Sequence, residues 1–131
     1  MRTIKFRGRS CGFWAHGNLH ICKHEEFGDY AYIIGCTQNP SSTTTVDINT
    51  IGQFTGLHDK NGKEIYEGDI VRYSLDDRKD VGYIGFHTQS ASFRVIAKHT
   101  DFGIGNRGEL HELQLEVIGN IYDNPELLKQ E

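Results

Sequence analysis

Proline is nearly missing from this 131-residue chain, with two residues against fifteen glycines. That balance excludes a proline-stiffened linker protein and favours a fold with many tight turns. Long helical periodicity is also missing, which excludes a helix bundle. No apolar run approaches the roughly 20 residues that cross a bilayer as a helix. The opening "MRTIKFRGRS" lacks the apolar stretch of a signal peptide, so a cytoplasmic location is expected, in a bacterium or in a phage host. Three cysteines are too few for a disulfide framework, and the odd count leaves one unpaired, so reduced thiols are expected. An excess of positive charge is missing as well. Fourteen Lys and Arg face eighteen Asp and Glu, a formal net charge of -4. Nucleic-acid binding draws most of its affinity from phosphate neutralisation, so the overall balance argues mildly against it.

What is present is a globular composition. Hydrophobic residues make up 37%, with seven Phe and six Tyr, too apolar for a disordered chain. A chain of this length buries about two-thirds of its unfolded surface, enough for a core without staples.

Short strand patterns recur along the chain. In "RTIKFRGR", Thr3, Lys5 and Arg7 alternate with Ile4 and Phe6. Gly17-Asn18 reads as a turn, so Phe13–His16 and Leu19–His24 are expected to pair as a hairpin. "DYAYIIG" is a third strand. The polar "TQNPSSTTT" reads as a connector over residues 37–45, between an N-terminal β element at 1–36 and a domain at 46–131. "VDINTIGQFTG" is strand-like and stops at Gly56. "DKNG" at Asp59–Gly62 and "EGD" at Glu67–Asp69 are turns, and "KEIY", "IVRYSL", "VGYIGFHT" and "SFRVIAKH" are strands. "DDRKD" is a charged hairpin tip and "DFGIGNRG" a glycine-rich loop. "EVIGNIY" favours a strand. Asn124 as cap and Pro125 in the first turn open a short terminal helix whose Leu127 and Leu128 are expected to dock on the barrel. Strands with turns at roughly ten-residue spacing suggest a mainly β protein. The expectation is a small, strongly bent barrel of the Src-homology-3 kind, with an N-terminal β extension and a short C-terminal helix.

The block "IGQFTGLHDKNGKEIYEGDIVRY", with "EVIGNIYDNPELL" near the end, closely resembles the YopX family of phage and prophage proteins. The likeness extends to Lys5-Phe6-Arg7 and to Trp14, Gly17 and Leu19. It implies a mostly β protein that self-associates and is carried by phages and prophages. It carries over no catalytic residues. The residues taken as family motif, with structural roles, are Trp14, Gly17, Gly52, Thr55, Gly56, Asp59, Gly62, Glu67, Gly68, Asp69, Gly119, Asn120, Asn124 and Pro125. "HICKH" and "GIGNRGELHE" are not hallmarks of the family.

Four constellations carry chemistry in principle. On a strand, His20, Cys22 and His24 project from one face, and with Cys11, His16 or Cys36 nearby they are the metal-ligand candidates. No CxxC pair accompanies them, and a solvated hairpin face explains them better. Asp59, Glu64, Glu67 and Asp69 could serve as general acid and base or hold a cation. Turn chemistry accounts for them better, because Asp and Asn bond their own backbone. Gly103, Gly105 and Gly108 match GxGxxG, yet lack the βαβ context that gives the pattern meaning. Arg2, Lys5, Arg7 and Arg9 share a segment with Phe6, Phe13 and Trp14, as in small barrels that stack single-stranded bases. No cofactor is expected. The reading is a non-enzymatic accessory protein that forms homo-oligomers and binds a host or phage protein. A nucleic-acid-binding barrel is the alternative, and a small metal-dependent or thiol enzyme resting on the His/Cys cluster stands third.

Overall fold

The computed structural model describes residues 3–75, 77–98, 100–104 and 114–129. The protein is mainly β, built from two antiparallel sheets. The strands are β1 Phe6–Ser10, β2 Phe13–Cys22, β3 Tyr30–Ile34, β4 Thr43–His58, β5 Glu64–Tyr66, β6 Asp69–Leu75, β7 Arg78–His87, β8 Ser92–Ala97, β9 Asp101–Gly103 and β10 Glu116–Asn120. The chain divides into two compact units, Met1–Gly56 and Leu57–Glu131. The polar run 37–45 therefore lies inside the first unit, and Thr43–Thr45 already belong to β4.

In the first unit β1 pairs with β2, β2 with β3 and β3 with β4, and β4 returns to pair with β1. The pairings close into a ring. Period-two alternation explains the core: Ala31 and Ile33 point inward with Ala15 and Val46, and Phe6, Leu19, Ile48 and Ile51 pack around them. The register between β1 and β4 slips between Arg7 and Arg9. Polar residues of β4 satisfy the backbone there. Thr50 Oγ1 accepts the Arg9 N–H at 2.9 Å and donates to the Asp47 carbonyl at 2.6 Å. The "VDINT" stretch thus makes a bulge, which strengthens the local twist of the strand.

One expected hairpin is corrected. β2 runs unbroken through Gly17 and Asn18, and the reversal lies earlier, at Cys11 and Gly12, where Gly12 has φ of +86°. A tight hairpin turn favours Asn before Gly, and here the order is reversed. Gly17 has another task. A Cβ at this position would meet the Ile34 carbonyl oxygen across the strand pair, so glycine lets two backbones approach.

In the second unit the sheet order is β10-β6-β7-β8-β9. The turn at Asp59–Gly62 folds β5 back beside the end of β4. Ile65, Val71, Tyr73, Ile84, Val95, Ile104 and Leu115 form the core. Residues Pro125–Lys129 form a 3-10 helix against β7, with Leu127 and Leu128 half-buried. Asp101–Gly103, read as part of a loop, is an edge strand paired with Arg94–Ile96 of β8.

Candidate functional site

The acidic constellation resolves into backbone chemistry. Asp59 is only 7% exposed. Its Oδ1 accepts the N–H groups of Asn61 and Lys63, both at 2.9 Å, and closes the turn around Gly62, whose φ is +84°. Its Oδ2 accepts the Val117 N–H at 2.9 Å, fastening β10 to a turn 58 residues earlier in the chain. Burial pushes the Asp59 pKa up. The N–H groups of Val117, Lys63 and Asn61 and the Lys63 charge outweigh that and hold it below the ordinary carboxylate value.

Asp69 is buried, and its Oδ2 accepts the Tyr66 N–H at 2.7 Å across the Glu67-Gly68 turn. Gly68, at φ +88°, donates to the Ile84 carbonyl and accepts from the Ile121 N–H. Glu64 accepts from the Tyr66 hydroxyl at 3.1 Å. Glu67 sits half-buried in the turn. Each oxygen of Asp59 holds an amide of the fold, and together they fasten the Asp59–Lys63 turn to β10.

The terminal motif is interlocked in a similar way. Asn120 Oδ1 accepts from Tyr122 N at 3.0 Å and Asp123 N at 2.9 Å. Asn124 donates its N–H to the Asn120 carbonyl, and its Oδ1 accepts the Asn120 N–H at 3.3 Å. Pro125 follows as the first residue of the 3-10 helix. Gly119 lies under Asn124, where an added Cβ would sit 2.6 Å from Oδ1. Gly52 pairs with Arg7, Thr55 is half-buried in β4, and Gly56 takes φ of +88° at the end of the first unit.

The His/Cys candidates separate. His20 and Cys22 share the outward face of β2, and His24 lies beyond its end. The His24 Nδ1 accepts the N–H groups of Glu26 and Phe27, so that lone pair is committed to a turn. His20 lies beside Tyr32, with ring centroids 5.0 Å apart. The Tyr30 hydroxyl's hydrogen bond to the Cys22 sulfur leads in raising the Tyr30 pKa above its ordinary value, and partial burial leads for Tyr32. Cys11 is exposed at the β1–β2 turn, and the Cys36 Sγ contacts the Thr44 hydroxyl at 2.9 Å. Among the described residues no three His, Cys, Asp or Glu side chains come together to hold a metal ion.

Gly103 of the GxGxxG pattern ends β9, which is antiparallel to β8 and so lacks the parallel strand–helix context of a dinucleotide site. Gly105 and Gly108 lie outside the described residues.

The basic and aromatic residues near the start do meet. Arg7 and Arg9 place their guanidinium carbons 4.6 Å and 5.5 Å from the Trp14 ring centroid. Lys5 lies over Phe54 at 5.3 Å. Trp14 pairs with Arg9 across the β1–β2 ladder, so the register itself sets one of these contacts.

The order of these elements, from the Lys5–Arg7 strand through the Asp59 clamp to the Asn120–Pro125 lock, is matched along nearly the whole chain by the family model described as YopX protein, over residues 5–129. The chain belongs to the YopX family. It is 34% identical over 70 residues to the SPbeta prophage-derived uncharacterized protein YopX of Bacillus subtilis (strain 168). That alignment covers 52% of each protein, so the chain spans about half the length of the curated relative it matches. It also resembles the crystal structure of protein EF1440 from Enterococcus faecalis, with a TM-score of 0.52 and 24% identity over 98% of this chain and 99% of that one. At this identity the likeness is one of fold. The residues expected to form the family's motif occupy turns, clamps and close backbone approaches in this chain.

One feature escaped the sequence reading. Phe27 stands 84% exposed on the turn between β2 and β3, held by His24. The signal was the "HEEFGD" stretch itself. A turn-forming Gly28 follows an aromatic residue there, just beyond the "HICKH" segment.

Proposed function

We propose that the chain is a non-enzymatic accessory protein of phage or prophage origin that self-associates and works by binding another protein of host or phage. The observation that carries this is the distribution of exposed apolar side chains. Ile4, Phe13, Ile21, Phe27 and Tyr30 of the first unit and Phe86 and Tyr122 of the second stand exposed, so apolar side chains are available for contact with a partner, five of them on the first unit. Of the four carboxylates weighed as acid and base, Asp59 and Asp69 accept backbone amides and Glu64 accepts the Tyr66 hydroxyl. The prophage origin in the relative's name supports the phage context. In this reading the protein works in the bacterial cytoplasm, and residues 46–131 make up a strongly bent barrel of the Src-homology-3 kind. Size-exclusion chromatography with light scattering tests self-association: an oligomer is expected, and a clean monomer at tens of micromolar would count against it.

A second reading, binding of single-stranded nucleic acid, is favoured by the Arg7–Trp14–Arg9 arrangement. The first unit carries five Lys and Arg against four Asp and Glu, whereas the second carries nine against fourteen. Gel shifts at low salt decide it, because electrostatic affinity is strongest there and absence of binding removes this reading.

A further inference from the structure

The connection between β2 and β3 is held by a histidine, the side-chain type that changes charge between about pH 5 and 8. The His24 Nδ1 accepts the N–H groups of Glu26 at 3.2 Å and Phe27 at 3.1 Å, and the His24 carbonyl accepts the Gly28 N–H at 3.1 Å. Gly28 then takes φ of +80°, where other residues are strained. These bonds define the protonation of the ring. A ring nitrogen that accepts carries no proton, so the imidazole is neutral with its proton on Nε2. Asn and Asp fill this role in many turns, where a side-chain oxygen accepts the same N–H groups. An asparagine oxygen accepts at every pH. An imidazole nitrogen does not: a proton on Nδ1 would face two N–H donors, and both bonds would be lost together.

His24 is exposed, and its ring lies on that of Phe27 with centroids 4.7 Å apart. That contact persists with a charged ring, because a cation is attracted to an aromatic face. The pH dependence therefore belongs to the two amides. The ionisable groups around the turn are Cys22 and Lys23 before it, Glu25 and Glu26 within it, and Asp29 and Tyr30 where β3 begins. Among the described residues none of the carboxylates forms an ion pair with the imidazole. The turn is complete where His24 is neutral, and it loses both amide bonds as pH falls through the titration of the ring.

We infer that the His24 turn is a pH-operated latch, which fixes the position of Phe27 when closed and frees residues 25–28 when His24 is protonated. Phe27 is 84% exposed, so the latch governs how an apolar side chain is offered to solvent or to a partner. The test is nuclear magnetic resonance on the full chain between about pH 5 and 7.5, a window above ordinary carboxylate titration. At the upper end the ring nitrogen signals are expected to report the Nε2–H tautomer. As pH falls, the Glu26 and Phe27 amide resonances are expected to shift with the midpoint of the His24 ring, and the heteronuclear NOE of residues 26–28 to drop. His24→Asn supplies an acceptor that does not titrate and is expected to keep these amides in place across the window. His24→Ala is expected to show the low-pH pattern throughout, while His20→Ala follows the wild type. Turn amides that stay fixed while the ring titrates overturn the latch. So does a pH response that survives in His24→Asn, which assigns it to Glu25, Glu26 or Asp29.

Discussion

Asp59 shows how one side chain sets the meaning of a whole motif. Both of its oxygens accept backbone N–H groups, so a carboxylate is required where an amide would present its NH2 to one of those donors. Asp59→Asn is expected to cost about 1–3 kcal/mol at neutral pH, the penalty of a buried donor left without its acceptor. Urea unfolding measures it. The pH dependence has a definite sign. Because the folded-state pKa is depressed, the contribution is fully present above the unfolded value of about 3.9 and is lost as pH falls through the folded value. The gap between wild type and Asp59→Asn should therefore be widest near neutrality and narrow below about pH 4. A gap that stays constant down to pH 2.5 would refute the clamp. The turn around Asp59 was legible in "DKNG", because Asp and Gly carry local preferences that need no tertiary partner. The bond to Val117 was not, since nothing local couples residues 58 positions apart.

At the scale of elements, the terminal lock makes a comparable demand on Gly119. Gly119→Ala puts a methyl group against Asn124 Oδ1 and is expected to cost about 1–3 kcal/mol, as overpacking does. Combined with Asn124→Ala, the loss should be smaller than the sum of the two single losses, because the clash and the broken bond involve the same oxygen. Additive losses in a double-mutant cycle would show that the two residues do not act together. The strands themselves were largely readable. "DYAYIIG" and "EVIGNIY" became β3 and β10 because alternating and β-branched residues carry their own periodicity. Gly17-Asn18 misled, since a glycine needed for close strand approach looks, in sequence, like a glycine needed for a turn.

Over the whole molecule, two separate cores predict two separable responses. Ile33 belongs to the first unit and Ile84 to the second, and both are fully buried. Truncating either to Ala is expected to cost about 2–5 kcal/mol. Hydrogen exchange read by mass spectrometry should show protection falling first in residues 6–54 for Ile33→Ala and in residues 64–120 for Ile84→Ala. Equal loss across both regions in each variant would mean that the units unfold as one. The sequence reading set the subdivision at the polar run 37–45, where composition shifts. The chain divides into its compact units between Gly56 and Leu57, within one 16-residue strand. Composition registers solvent exposure, whereas the division of a core depends on which distant strands share it.

The amino-acid sequence alone determined the mainly β character, the turns at Asp59–Gly62 and Glu67–Asp69, and membership of the YopX family. These follow from local propensity, alternation and motif, all of which are written along the chain. Tertiary structure decided the rest. It closed β1 against β4, spent the Asp59 and Asp69 carboxylates on backbone amides, drew His24 away from Cys22 and into a turn, and left Phe27 standing in solvent. Each of these outcomes depends on the register between strands distant in sequence or on what covers a side chain, and neither is encoded in any short window of residues.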